Sequence, residues 1–279
     1  MLLNQEAITT VIEPRSGIFS FQLGTIWRYR ELLWFLVWRD IKVRYKQTML
    51  GVLWIIIQPL ISMLIFNFLF GRLLNVSSGN IPYPIFTFAA LLPWNFFAGS
   101  LTRGSTSLVT SANLITKVYF PRLLIPISGV LSGFIDFLLA FLLLGGLFFY
   151  YRITPSIQSL LLPIFILFTI LVALGFSLWF SALNVRYRDV NYLVPFLIQI
   201  WMYLTPVIYG TNFIQEKYRF LLLINPLTGI VEGYRWALFG NQTVYFANPS
   251  IFFAISFAIT LLVLISGILF FRESERSFA

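Results

Sequence analysis

Histidine and cysteine are both missing from this sequence. Their absence removes the side chain most often used as a general base near neutral pH, the commonest metal ligand, the thiol nucleophile and any disulfide framework. Charge is scarce as well. Only 10% of the 279 residues are Asp, Glu, Lys or Arg, whereas a soluble domain carries about 25%. Nineteen basic and ten acidic side chains are too few to cover a 32.3 kDa globule. No G-x-x-x-x-G-K-[ST] phosphate loop occurs, nor any other nucleotide-binding fingerprint. Metal, thiol and Ser-His chemistry are excluded, and a pump built on this chain would draw its energy from another.

What the chain has is hydrocarbon: 59% of its residues are hydrophobic. A helix crossing a membrane needs about 20 apolar residues at about 1.5 Å each. Stretches at 50–71, 84–102, 123–151, 160–183, 190–210 and 250–271 meet or approach that length. These runs are continuous rather than alternating at period two, which argues for helices over barrel strands. The expectation is an all-α integral membrane protein: a tail over 1–49 and one membrane domain of six helices over 50–279. No cleavable signal peptide and no internal repeat is visible in the pattern.

With six spans both termini share a side, and the distribution of Lys and Arg decides which. Arg15, Arg28, Arg30, Arg39, Lys42, Arg44, Lys46, Arg103, Lys117, Arg122, Arg186, Arg188, Arg272 and Arg276 fall on one side. Only Arg72, Arg152, Lys217, Arg219 and Arg235 fall on the other. Fourteen against five places both ends in the cytoplasm. The net charge of +9 thus reports topology and not nucleic-acid binding.

Two segments are amphipathic without spanning. Residues 22–46 mix Trp27, Trp34, Phe35, Trp38 and Tyr45 with Arg28, Arg30, Arg39, Lys42, Arg44 and Lys46. That composition suits a helix lying in the headgroup layer, the alternative being a positive flank with belt aromatics. Residues 211–249 lie on the external side. Within them Asn225 and Pro226 form a helix start, a capping side chain followed by a ring whose missing N–H is harmless there. Leu227, Ile230, Val231, Tyr234 and Leu238 then share a face, Glu232 and Arg235 are three apart, and Gly240 with Asn241 ends the helix. It is too short to cross, so the segment reads as a re-entrant helical hairpin over about 211–245, or else as a loop on the outer surface.

Asp136 falls near the middle of the third span, where a lone carboxylate costs several kcal/mol unless paired, protonated or wet. A structural hydrogen-bonding role is expected ahead of ion coupling, because no relay of ionisable groups accompanies it. Pro59, Pro93, Pro126, Pro163, Pro195 and Pro206 each remove a ladder hydrogen bond and can kink or end a span. Among the aromatics, Trp54, Trp94, Trp201, Tyr203, Tyr209, Tyr234 and Trp236 could stack on sugar rings while hydrogen-bonding hydroxyls, and interfacial belts account for the same residues equally well.

The run RDIKVRYKQTMLGVLWIIIQPL at 39–60 resembles the permease subunits of ABC-type polysaccharide exporters, the Wzm-like family that serves O-antigen, capsule and teichoic-acid export. LLPWNFFAGSL at 91–101, NLITKVYFPRLLIP at 113–126, ALNVRYRDV at 182–190 and NPLTGIVEGYRWALFGN at 225–241 agree in order and spacing. The resemblance implies a homodimer in the bacterial cytoplasmic (inner) membrane. Two copies of a separate ATPase would bind ATP and Mg2+, so that no cofactor belongs to this chain. It implies a polyprenyl-diphosphate-linked polysaccharide as cargo, moved outward. Carried over to this sequence, Asn113, Lys117, Tyr119, Arg122, Arg186, Arg188 and Asp189 would receive ATPase movement, the bland reading of the charged ones being a solvated positive loop. Arg39, Lys42, Arg44 and Lys46 could hold the lipid diphosphate where it enters.

Three other classes compete. An efflux pump for drugs or small lipids can share the general fold, and a surface-polymer defect on deletion separates the two. A membrane glycosyltransferase would show clustered carboxylates or a His base, whereas Asp40, Asp136 and Asp189 are scattered. An ion-coupled carrier would rest on Asp136 alone.

Overall fold

The computed structural model describes residues 23–46, 51, 53–242 and 249–275, and every regular element among them is helical. In order these are α1 (Leu23–Arg28), α2 (Arg30–Tyr45), α3 (Leu53–Phe66, continued as a π-helix over Asn67–Leu73), α4 (Tyr83–Thr110), α5 (Ala112–Lys117), α6 (Leu124–Leu131), α7 (Phe134–Tyr151), α8 (Leu162–Arg186), α9 (Val190–Leu204), α10 (Arg219–Ile224), α11 (Pro226–Phe239) and α12 (Pro249–Glu275). Helix is what hydrocarbon demands, since each N–H and C=O must be satisfied without water. Expectations resting on Arg15, Arg276, residues 47–50 and 243–245 lie outside the described residues.

Among the described residues five runs are long and apolar enough to cross a membrane: Leu53–Leu73, Tyr83–Thr110, Leu124–Tyr151, Ile157–Arg186 and Pro249–Glu275. The fifth expected stretch, 190–210, is helical only over its first 15 residues. Thr205 turns extended (φ −100°, ψ 137°) because it precedes Pro206, whose ring disfavours the helical region in the residue before it. The resulting helix measures about 22 Å against a hydrocarbon core of about 30 Å. The third run is likewise not one rod. It breaks at Ser132–Gly133 between α6 and α7, a joint that the unbroken apolar pattern conceals.

The prolines sort by position. Pro126 and Pro163 stand in the first turns of α6 and α8, where no ladder bond exists to lose, and Pro206 follows the end of α9. Pro59, Pro93 and Pro195 sit inside α3, α4 and α9.

Packing is organised around α4, which touches α3, α6, α7, α8, α9 and α11 and is buried along most of its length. Between helices that are all apolar, hydrophobicity no longer distinguishes neighbour from lipid, and close approach of small residues takes over. At the crossing of α8 and α12, a Cβ on Gly267 would stand 2.4 Å from the Gly175 carbonyl oxygen. A Cβ on Gly104 of α4 would stand 2.3 Å from Ser177 Oγ of α8, and Gly129 of α6 lies against Gly104 on the same helix's other flank. A second, smaller core gathers Leu36, Leu108, Phe120, Leu124, Leu178 and Phe271, joining α2 to the ends of α4, α8 and α12.

Gly267→Val should lower the detergent melting temperature of the purified protein by an amount corresponding to about 1–3 kcal/mol of overpacking. Gly146→Ala, with nothing within 4 Å of the new methyl group, should leave it unchanged or raise it slightly. Equal melting of both variants with the parent would show that the α8–α12 crossing is not set by backbone contact.

Candidate transport and coupling sites

The helix start at Asn225–Pro226 forms as its sequence indicates. Asn225 Oδ1 accepts from Leu227 N at 3.1 Å, and Gly240 ends the helix at φ 71°. Asn225 also accepts from Trp201 Nε1 at 3.1 Å and donates to Thr205 Oγ1 at 2.9 Å, so one side chain ties α9, the bend after it and α11 together. α11 is not amphipathic in its setting: apart from Trp236 its residues are buried, against α4, α8 and α12. The two ends of α11 meet different neighbours. Pro226 O accepts from Ser256 Oγ, seven residues into α12, while at the other end of α11 Leu238 O accepts from Ser156 N in the α7–α8 loop.

Burying α11 buries both members of its charged pair. Glu232 and Arg235 are 0% exposed and meet at 3.0 Å. Arg235 also reaches the segment that Pro206 has expelled from the helix: the same Nη1 that bonds Glu232 lies 2.6 Å from Pro206 O and 3.2 Å from Tyr209 O, and Nη2 donates to Val207 O at 2.8 Å. Ile208 O, the one carbonyl left over, accepts from Tyr83 Oη at 2.5 Å. The Arg235 guanidinium also stacks 3.7 Å from the centre of the Phe86 ring. Four consecutive carbonyls of non-helical backbone are therefore satisfied by side chains from α11 and α4, as backbone away from water requires. The spacing of three signalled an ion pair, but nothing local signalled its burial.

A cavity of about 540 Å³ opens between α9, the α10–α11 corner, α8 and α12. Trp201, Tyr203 and Tyr209 line it with Tyr218, Leu222 and Asn225. Of the other aromatics singled out in the sequence, Trp54 is exposed on α3, and Trp236 packs on Phe253 and donates to Asn241. Trp94 (3% exposed) and Tyr234 (0%) are enclosed by the bundle, against Phe97 and Phe137, and neither ring has a free face.

At the end where α2 and α5 lie, the four basic residues of 39–46 differ in their surroundings. Arg39 pairs with its neighbour Asp40 at 2.8 Å, Lys42 lies over the Trp38 ring, and Lys46 is exposed. Arg44 is turned inward to Asp136 at 2.5 Å. Asn113, Lys117 and Tyr119 are exposed on and beside α5. Arg122 donates to the Glu275 carbonyl of α12 at 3.2 Å. Arg186, Arg188 and Asp189 are exposed at the α8–α9 turn, which Asn184 anchors through bonds to Ser105 O and Asn191 Oδ1. Among the described residues no group of three Asp or Glu gathers as a metal site would require.

Residues 31–239 match the ABC-2 type transporter family. The chain belongs to that family of membrane transport proteins. It is 32% identical over 261 residues to the O-antigen export system permease protein RfbA of Klebsiella pneumoniae, covering 93% of this chain and 97% of that one. It is 32% identical over 257 residues to the protein of the same name from Myxococcus xanthus, with 91% and 96% covered. Further off, it is 23% identical to the polysialic acid transport protein KpsM of Escherichia coli, with 86% and 92% covered.

Arg235→Met strands Glu232 and three carbonyls and should cost about 3–5 kcal/mol, as breaking a buried pair does. Replacing both charges, with Glu232→Leu added, should recover part of that loss. Thermal unfolding in detergent distinguishes the outcomes: a double variant no more stable than Arg235→Met would mean that the carbonyl contacts, and not the pair, hold the site.

Proposed function

We propose that this protein is the membrane-spanning permease of an ATP-driven exporter that carries lipid-linked polysaccharide of the O-antigen type from the cytoplasmic to the external face of the membrane. The observation that carries the reading is identity of 32% across nearly the whole of this chain and of its O-antigen export relatives. The capsule-type relative is more distant, which makes capsule or teichoic-acid export the second reading. In this reading α9 and the bend after it complete a sixth crossing, both termini are cytoplasmic, and α10–α11 form a hairpin dipping in from outside. Exposed Trp27, Trp34, Phe35 and Trp38 beside Arg28, Arg30 and Lys42 support placing α1–α2 at the cytoplasmic headgroup layer. The chain works as a homodimer with two ATPase subunits, which bind the ATP and Mg2+.

The mechanism follows from what each region offers. Arg39, Lys42 and Lys46 gather the lipid diphosphate, while Arg44 is engaged by Asp136. Asn113, Lys117, Tyr119 and Arg122, with Arg186, Arg188 and Asp189, face the ATPase. Because Phe120 and Leu124 share a core with Leu36 and Phe271, a push on α5 is passed to α2, α6 and α12 together. Trp54, Trp201, Tyr203, Tyr209 and Trp236 offer aromatic edges and hydroxyls along which a glycan slides without being gripped. The chain supplies shape and the companion supplies energy.

In proteoliposomes containing the permease and its ATPase subunit, transfer of glycolipid to the opposite leaflet should require ATP. Transfer without the ATPase would overturn the reading, and transfer that collapses with the proton gradient would replace it with an ion-coupled carrier. Replacing Arg39, Lys42 and Lys46 by Gln should cut transport at least about ten-fold with assembly intact, if each contact is worth about as much as a basic residue near an anionic surface.

A further inference from the structure

Along α2 and α6 the contacts advance together. Leu36 and Leu124 share a core, Ser128 Oγ lies 3.3 Å from Asp40 Oδ2, and Arg44 Nη2 donates to Ser132 Oγ at 3.0 Å. Partners step by four on both helices, so α2 runs beside α6 in the same direction. α6 stops at Leu131 and α7 starts at Phe134, and in this register α2 ends at Tyr45, level with the joint, where its side chains reach across. Its last turn is held by α7: Arg44 Nη1 bonds Asp136 Oδ2, and the Tyr45 hydroxyl donates to Asp136 Oδ1. Burial, then the Asp136 carboxylate, pushes that hydroxyl from 10.0 up to about 12, so it remains a donor throughout the physiological range.

The joint itself is occupied from the opposite side. Arg103 of α4 donates to Gly129 O at 3.2 Å and approaches Asp136 Oδ2 at 3.9 Å. A Cβ on Gly133 would fall 1.9 Å from its Nη2, so the guanidinium fills the gap in the helix where a side chain would otherwise stand. One carboxylate thus receives cations from two other helices, at a place where the backbone ladder is interrupted. Asp136, Arg44 and Arg103 are each only about a quarter exposed, at 26, 26 and 27%.

We propose that Asp136 is a positioning residue that makes α2 a splint across the α6–α7 joint, so that movement delivered to α6 from the 113–123 segment is passed to α7 instead of being absorbed by bending at Ser132–Gly133. The proposal rests on the ATP-driven reading above. Without the splint, the two halves of the third run are joined by a two-residue turn and by α4, which packs on both and whose Arg103 fills the gap. The nucleotide cycle would then proceed while the outer half of the run stays behind. Loss of Asp136 should therefore separate hydrolysis from transport, which a purely structural role would not do.

The chain's lack of cysteine makes the test direct. Asp136→Asn, and the pair Arg44→Cys with Asp136→Cys, are reconstituted with the ATPase subunit, and ATP hydrolysis and glycolipid transfer are measured in the same vesicles. In the pair, the two thiols of each permease are first bridged by a reducible bis-thiosulfonate with a spacer of about an arginine's length, before the ATPase is added. Asp136→Asn and the unbridged pair should hydrolyse ATP within about two-fold of the parent and transfer about ten-fold less, a loss within the range of a single coupling interaction. Bridging should restore at least half of the parental transfer, and reductant should remove it again. Parental transfer by Asp136→Asn, hydrolysis falling in proportion to transfer, or a bridged pair no better than the unbridged one would each overturn the splint. Failure of the underlying reading shows separately, as ATP-independent transfer by the unaltered complex.

Discussion

One arginine holds the far end of the molecule together. Arg235 carries a charge into a part of the bundle where no water reaches it, and it is tolerated there because Glu232 neutralises it and three backbone carbonyls consume its donors. The relation also runs the other way. Residues 206–209 could not remain non-helical among apolar helices unless something satisfied their carbonyls, and each of the four faces a donor of Arg235 or Tyr83. Because the arginine belongs to α11, the carbonyls to the segment after α9 and the tyrosine to α4, these three elements cannot shift independently. The position of α11 and the wall of the aromatic cavity follow from that constraint.

The basic end uses the same kind of interaction to a different effect. Asp136 also receives arginines from other helices, but its site is a quarter exposed, and one of its two cations stands 3.9 Å away. Such a cluster is cheaper to open than a fully buried pair, since water can replace part of what is lost. It lies beside a break in the third run, whereas Arg235 lies within an unbroken helix. The protein thus has a fully buried ion pair on α11 at one end and a partly exposed cluster joining α2, α4 and α7 at the other, with α4 running between them.

Hydropathy placed the helix starts within a few residues but not all the ends, since α4 runs on to Thr110 and α9 stops at Leu204, while Asn225–Pro226 marked the start of α11 to the residue. What escaped was whatever depends on a distant partner. The Ser132–Gly133 break lies within a run of span-length hydropathy, where the Ser-Gly pair is its local sign, and the gap is filled by Arg103, which lies about thirty positions earlier in the chain. Arg44 read as one more headgroup cation until Asp136 was seen to need it, although an isolated carboxylate in a span announces that some cation must come to it. Trp94 and Tyr234 looked like belt or channel residues from their chemistry, yet both are buried, Trp94 against Phe97 of its own helix and Tyr234 against Phe137 of α7. A one-dimensional pattern states that a residue is apolar, and it does not state whether lipid, cargo or a neighbouring helix takes the contact.

The use made of the few charges bears on how the molecule is driven. Within the bundle, Arg103, Asp136, Glu232 and Arg235 are all committed to holding backbone or one another. Asp136 is held by a guanidinium and by a phenol that stays protonated, which commits both of its oxygens. A carrier that works by ion exchange needs at least one group that alternates between free and bound, in reach of a second. Charges spent on fixing geometry suit a part that is moved from outside, and the exposed residues around α5 and the α8–α9 turn provide the surface on which such a force can act.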